Sequence, residues 1–218
     1  MRYERKWIVK TENYNKLIYD IIKFNIKFEK AYSDRYVNSI YFDISNLFSV
    51  RENFYGLTEK RKFRVRWYGD KKIINAPVLE IKEKHGWINK KRIIKLEKIG
   101  NLDISKKQNI IKIESIINKK LNYHKRLIPL VSTHYLRKYL VSEEKKIRIT
   151  IDRFIQSGEF INYNFINKGL DLKKIIFEMK YEKKYDDFVK NKLIHNYRIA
   201  KNSKFINSIF NSSYKRIL

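Results

Sequence analysis

Charged and apolar residues alternate with a period of two over much of this chain. Between Glu59 and Gly69, the residues Lys60, Lys62, Arg64 and Arg66 fall on one side, while Arg61, Phe63, Val65 and Trp67 fall on the other. The same split separates Arg2, Glu4 and Lys6 from Tyr3, Trp7 and Val9. It recurs for Glu80, Lys82 and Lys84 against Leu79 and Ile81, for Arg148, Thr150 and Asp152 against Ile147, Ile149 and Ile151, and for Glu178 and Lys180 against Phe177, Met179 and Tyr181. The pattern predicts eight strands, mostly antiparallel: Arg2 to Val9, Val37 to Asp43, Lys60 to Tyr68, Val78 to Lys84, Lys90 to Leu96, Val131 to Val141, Lys146 to Asp152, and Ile175 to Tyr181. Helical spacing of apolar residues predicts helices from Glu12 to Glu29 behind an N-capping Thr11, from Ser105 to Leu121, from Asp186 to Tyr197, and from Ser203 to the end.

A single strand with one charged face is common in an antiparallel sheet that has one side in water. Repetition across strands is harder to explain that way, because like charges opposite one another on paired strands are destabilising. A solvated face also has no reason to choose Arg over Ser or Thr. A polyanion lying against the face would offset the repulsion. Closing eight strands into a barrel would turn that face into a lumen of Lys and Arg, with helices covering the apolar exterior. The pattern itself gives a mostly antiparallel sheet with helices, class α+β, formed by one domain spanning residues 1–218.

Composition sharpens the choice of partner. The chain has 218 residues, with 50 Lys and Arg against 23 Asp and Glu, a net charge of +27. Heavy use of Ile, Lys and Asn accounts for part of that excess on every solvated face. The 15% aromatic content separates the chain from a disordered polycation. It has no Cys, which excludes a disulfide framework, a zinc ribbon and a thiol nucleophile. There is no run of eighteen apolar residues and no secretory h-region, so a cytoplasmic protein without a membrane segment is expected. Charge alone leaves nucleic acid, an anionic membrane surface and phosphorylated molecules as partners.

Other chemistry is sparse. No two of the six glycines lie closer than eleven residues, so no glycine-rich phosphate cradle is present. His85, His124, His134 and His195 are scattered without metal-ligand spacing and are expected to be packing or surface residues. Asp43 and Asp152, near strand ends, are expected to pair with neighbouring Arg. Trp7, Trp67 and Trp87 are expected in the apolar exterior layer.

Taken in order, RYERKWIV, SIYFDISN, GLTEKRKFRVRWYGD, LEIKEKHG, NKKRI, STHYLRKYL, KIRITIDRFI, FEMKY and KNSKF resemble the VTC domain. This is the polyphosphate polymerase domain of the vacuolar transporter chaperone complex, within the triphosphate tunnel metalloenzymes, and the resemblance implies their fold, an eight-stranded antiparallel β-barrel enclosing a basic tunnel with helices packed on the outside. The resemblance implies that Lys6, Arg64, Arg66, Lys82, Lys90, Arg137 and Arg148 grip phosphates inside a tunnel. It further implies that Lys201, Ser203 and Lys204 add phosphate contacts, that Glu178 holds a Mn²⁺ or Mg²⁺ ion, and that Glu4, Glu80 and Lys180 support them. Glu4 and Lys6 match the last two positions of the superfamily's ExExK signature, with Arg2 at the first. Asn53 stands where relatives carry Lys or Arg, and Arg51 is the nearby substitute. The implied activity transfers the terminal phosphate of ATP to a growing polyphosphate chain. The alternatives are a tunnel triphosphatase or polyphosphatase and a non-catalytic polyphosphate-binding module. ATP and polyphosphate are thus the expected partners, nucleic acid is not expected, and any export of product would need a separate membrane partner.

Overall fold

A computed structural model describes the chain except for residues 1, 24–25, 98, 145, 194–196, 198 and 218, and except for the side chains of residues 2, 192, 193 and 217. His195 and the side chain of Arg2 therefore lie outside the described residues. In chain order the elements are β1 (Arg2–Lys10), α1 (Tyr14–Ile22), β2 (Glu29–Asp43), α2 (Phe48–Phe54), β3 (Glu59–Tyr68), β4 (Ile73–Ile74), β5 (Val78–His85) and β6 (Ile88–Lys95). They continue with β7 (Leu102–Asp103), α3 (Lys107–Leu121), β8 (Ile128–Ser142), β9 (Ile147–Ile161), β10 (Asn164–Asp171), β11 (Lys174–Glu182), α4 (Asp186–Leu193) and α5 (Lys204–Phe210). The main sheet runs β1-β11-β9-β8-β2-β3-β5-β6, with β10 added on β9, and β4 pairs β7 separately. The eight strands of that path are the eight read from the sequence. Among the described residues no pairing joins β1 to β6, so the architecture is an antiparallel sheet with helices rather than a demonstrated barrel.

The chain packs as two compact units. One comprises Met1–Arg35, Tyr135–Ile155 and Leu170–Asn202; the other comprises Tyr36–His134, Gln156–Gly169 and Ser203–Leu218. Strands β2, β8, β9 and β10 each continue from one unit into the other. In the first unit, Trp7, Ile149, Ile151, Phe177 and Met179 point to one side of β1, β9 and β11, and α1 covers them with Leu17 and Ile21. In the second, Ile40, Phe42, Phe63, Val65, Trp67, Leu79 and Ile81 form the apolar face, covered by Ile110, Ile113 and Ile117 of α3. A separate cluster joins Tyr41, Leu47 and Val50 to Phe205, Ile206 and Ile209 of α5.

Several boundaries differ from the sequence reading. Helix α1 ends at Ile22, and β2 begins at Glu29, well before the apolar run that marks its second half. Helix α4 ends at Leu193, and α5 is followed by a separate 3-10 turn, Ser213–Ile217. Helix α2 is too short to show a period in sequence. It is nucleated by Asp43, whose carboxylate pairs with no Arg among the described residues but accepts the amide N–H groups of Ile44, Ser49 and Val50 at 2.8, 3.0 and 2.8 Å. Trp87 is not in the exterior core: it is 93% exposed beyond Gly86 in the β5–β6 turn. Trp7 and Trp67 are fully buried, as expected.

Candidate functional site

In the second unit, alternation and register together assemble a cationic cluster. Arg64 lies opposite Glu80, Arg66 opposite Ser39 on β2, and Lys62 opposite Lys82, which in turn pairs with Lys91 on β6. Directly paired residues point to the same side of a sheet, so these side chains share one face. Glu80 is buried and receives three cations. Arg64 Nη2 approaches Oε2 at 2.5 Å, while Lys91 Nζ and Arg66 Nη1 approach Oε1 at 2.8 and 3.3 Å. Burial works against the Glu80 charge, but Arg64, Arg66 and Lys91 outweigh it and hold the carboxyl at about 2.

The cluster has donors in reserve. Arg66 Nε and Ser39 Oγ are buried without a hydrogen-bond partner. The Tyr41 hydroxyl accepts from Arg64 Nη1 at 3.5 Å. Burial favours its neutral form, yet Arg64, Arg66 and Lys62 shift its ionisation below the ordinary tyrosine value. Tyr41 stacks on Phe205 at 4.8 Å, which docks α5 beside the cations. There Lys62 Nζ donates to Ser203 Oγ at 3.2 Å, and the same oxygen caps α5 by accepting the Ile206 N–H at 3.4 Å. Lys204, half-buried, opens the helix.

Lys90 departs from this arrangement. It pairs with Glu83, which lies opposite Arg61, so it points to the face away from Arg64 and Glu80. Its neighbour Lys91 takes the place assigned to it. The stretch NKKRIIK of β6 has no alternation, so nothing in the sequence distinguishes the two lysines. Lys62 and Tyr41 were also missed as site residues, although period two already put Lys62 beside Arg64. Asn53 is structural, its amide donating to the carbonyls of Ser49 and Arg61 at 2.7 Å each, and Arg51 is exposed.

The first unit holds a second cluster of a different kind. Lys6 Nζ lies 2.7 Å from Glu4 and 3.6 Å from Glu178, while Lys180 Nζ lies 3.2 Å from Glu4 and 3.1 Å from Glu178. The β1–β11 register sets this ring by pairing Glu4 with Lys180 and Lys6 with Glu178. Despite partial burial, Lys6 and Lys180 hold Glu4 at about 2; burial likewise opposes the Lys6 charge, but Glu178 and Glu4 raise its ionisation. Across β9, Thr150 pairs with Glu178 and the exposed Arg148 pairs with Lys180. Thr150 Oγ1 is buried without a hydrogen-bond partner. Arg137 grips the buried Asp152 through two bonds of 2.5 and 2.7 Å, as the sequence suggested for that aspartate. Burial opposes its charge, but Asp152 drives the guanidinium's ionisation further up. Lys201 is exposed and belongs to this unit, whereas Ser203 and Lys204 belong to the other.

Among the described residues no three His, Cys, Asp or Glu side chains converge as a metal site. The donor set of Glu178 and Glu4 instead fits a hard cation held by one or two carboxylates together with a ligand's own phosphate oxygens. His134 is buried between Asn38 and Ser132, at 3.1 and 3.2 Å; burial, aided by Lys71, pushes its ionisation down to about 4, so it is a neutral packing residue. No helix among the described residues is long and apolar enough to cross a membrane.

None of the curated proteins matches this chain. Among solved structures it resembles the PH1819 protein from Pyrococcus horikoshii, with a TM-score of 0.53, 10% identity, and 97% of this chain covering 100% of that one. It also resembles a candidate adenylate cyclase from Bacillus halodurans, with a TM-score of 0.53, 13% identity, and coverage of 96% and 97%. At such identities the likeness concerns the fold. The family model described as "VTC domain" matches residues 1–212, nearly the whole chain, and the chain therefore belongs to the VTC domain family.

Proposed function

We propose that the chain is a polyphosphate polymerase that passes the terminal phosphoryl group of ATP to the end of an inorganic polyphosphate chain, in a sheet closed around a basic tunnel. The observation that carries this reading is the Glu80 cluster, in which one buried carboxylate holds Arg64, Arg66 and Lys91 beside two buried donors that have no partner. Such a set is preorganised for an anion with several oxygens, because Arg64 and Arg66 are largely withdrawn from water and held in place before the anion arrives.

Phosphoryl transfer asks little covalent work of side chains and depends on positioning and charge stabilisation. Arg64 and Arg66 present planar forks to the phosphate oxygens, with Glu80 fixing their orientation. Lys62, Lys91 and Lys204 neutralise further oxygens, and the Ser203 hydroxyl supplies a donor. In the first unit Arg148, Lys6, Lys180 and Arg137 supply cations suited to phosphate oxygens, and Lys201 adds a peripheral charge. Glu178, with Glu4 in support, would hold a Mn²⁺ or Mg²⁺ ion that arrives with the phosphates. When bound, that ion would supply positive charge to offset that of the phosphates. The β–γ phosphoanhydride breaks, ADP leaves with the bridging oxygen, and a terminal oxygen of the chain forms the new P–O–P bond.

Incubation with ATP and Mn²⁺, followed by gel analysis of polyphosphate and by measurement of ADP, tests the reading. Long polyphosphate accumulating in step with ADP is expected. Orthophosphate released without chain growth would identify water as the acceptor, and unchanged ATP with polyphosphate bound would identify a binding module; either result overturns the polymerase reading.

A further inference from the structure

The β5–β6 hairpin exposes two large apolar side chains at its tip, beyond the part where Leu79 and Ile81 are buried in the core. His85 pairs with Ile88, and Gly86 takes the left-handed turn conformation at φ +56°. Trp87 and Ile88 at the tip are 93% and 61% exposed, whereas the other two tryptophans are fully buried. The turn itself needs Gly86 and makes no demand for an indole at the next position.

Behind the tip the hairpin is cationic on both faces. Lys84 shares one face with Asn89, while Lys90 and Arg92 share the other with Glu83 and Ile81. From Ile88 to Ile93 every residue of β6 is exposed, and β6 ends the sheet path. The nearby acids are Glu83, opposite Lys90, and Glu59, 3.9 Å from His85. Lys60, Lys84, Lys90 and Arg92 outnumber them.

We infer that this hairpin docks on an anionic lipid bilayer surface. An indole and an aliphatic side chain leading, with Lys and Arg set back along the strands, match the two layers of such a surface. The ring and Ile88 enter the boundary between headgroups and acyl chains, and the cations meet anionic headgroups. Nucleic acid would use the ring for stacking and the cations for phosphates, but would leave Ile88 without a role. The cations used here are on the face away from the Glu80 cluster or beyond its end, so the inference does not rest on the polymerase reading.

The test sediments the full chain with vesicles of phosphatidylcholine alone or mixed with phosphatidylserine, and records tryptophan emission. Binding is expected only to the mixed vesicles, with a blue shift and quenching by brominated lipid, because Trp87 is the one tryptophan exposed to water. Trp87→Ser with Ile88→Ser should weaken binding about tenfold or more with an unchanged melting temperature. Lys90→Glu with Arg92→Glu should weaken it further, since each basic residue at an anionic surface is worth about fivefold. Vesicle binding that ignores all four substitutions would overturn the inference, as would native protein that binds vesicles without any change in emission. Trp87-dependent binding to duplex RNA that exceeds binding to the mixed vesicles would overturn it in favour of nucleic acid.

Discussion

The two charged clusters begin from the same sequence device and reach opposite electrostatic ends. In the first unit Glu4, Lys6, Glu178 and Lys180 form a ring with two carboxylates and two ammonium groups, and Lys180 and Glu4 remain well exposed. In the second unit one buried carboxylate faces Arg64, Arg66 and Lys91, with Lys62 and Lys82 on the same face. A balanced, wet ring can exchange a lysine for a cation at small cost. A dry cluster with excess positive charge is completed only by an anion. Alternation in the sequence therefore fixes which face is charged, while register and depth decide what the charge is for.

The comparison breaks most visibly if the carboxylates are neutralised one at a time. Glu178→Gln is expected to abolish metal-dependent turnover while changing stability by less than about 1 kcal/mol, because its partners stay in contact with water. A rate assay across Mn²⁺ concentrations and a urea titration read the two effects. Glu80→Gln should instead cost about 3–5 kcal/mol in urea unfolding, since it removes the buried charge that Arg64 and Arg66 surround. Tripolyphosphate should restore more stability to this variant than to the native protein; equal gains would mean that the cluster is not where the anion binds.

Arg64→Ala and Arg66→Ala should each slow turnover about tenfold to a thousandfold. Arg61→Ala, on the opposite face, should leave turnover nearly unchanged. It loses contacts to Tyr123 and Glu52, so its effect belongs in the melting temperature. Acid acts on the second unit in two steps. The Glu80 carboxyl has an ordinary value of 4.5 and a folded value of about 2, so its contribution is complete above 4.5 and disappears as pH falls through 2. That amounts to about 3 kcal/mol, absent in Glu80→Gln. His134, lowered from 6.5 to about 4, gives an earlier loss between those values, which His134→Gln should remove from the stability profile. The smallest effect distinguishes neighbours: Lys91→Ala should weaken tripolyphosphate binding severalfold in calorimetry, and Lys90→Ala hardly at all.

Legibility followed local pattern. Phe63, Val65 and Trp67 against Lys62, Arg64 and Arg66 could be assigned to faces from sequence because each strand position is tied to the next by the pleat. The choice between Lys90 and Lys91 could not, because it depends on cross-strand register, and NKKRIIK would look the same shifted by one. Helix α2 depends on the carboxylate of Asp43 from the preceding strand. Strand β10 is polar and largely exposed, and no apolar face announces it. Trp87 was misplaced because an exposed indole runs against the usual gain from burial, which is also why it is informative.

The four strands shared between the units limit how this protein can be divided. The polypeptide passes from one unit to the other five times, at positions 35, 134, 155, 169 and 202. Neither unit is a continuous gene segment, so neither can be excised, swapped between relatives or duplicated as a cassette. Most residue contacts join positions distant in sequence, which places loop closure ahead of much of the stabilising contact during folding. A lineage could tune one cluster by point substitution, but it could acquire or lose the pair only together.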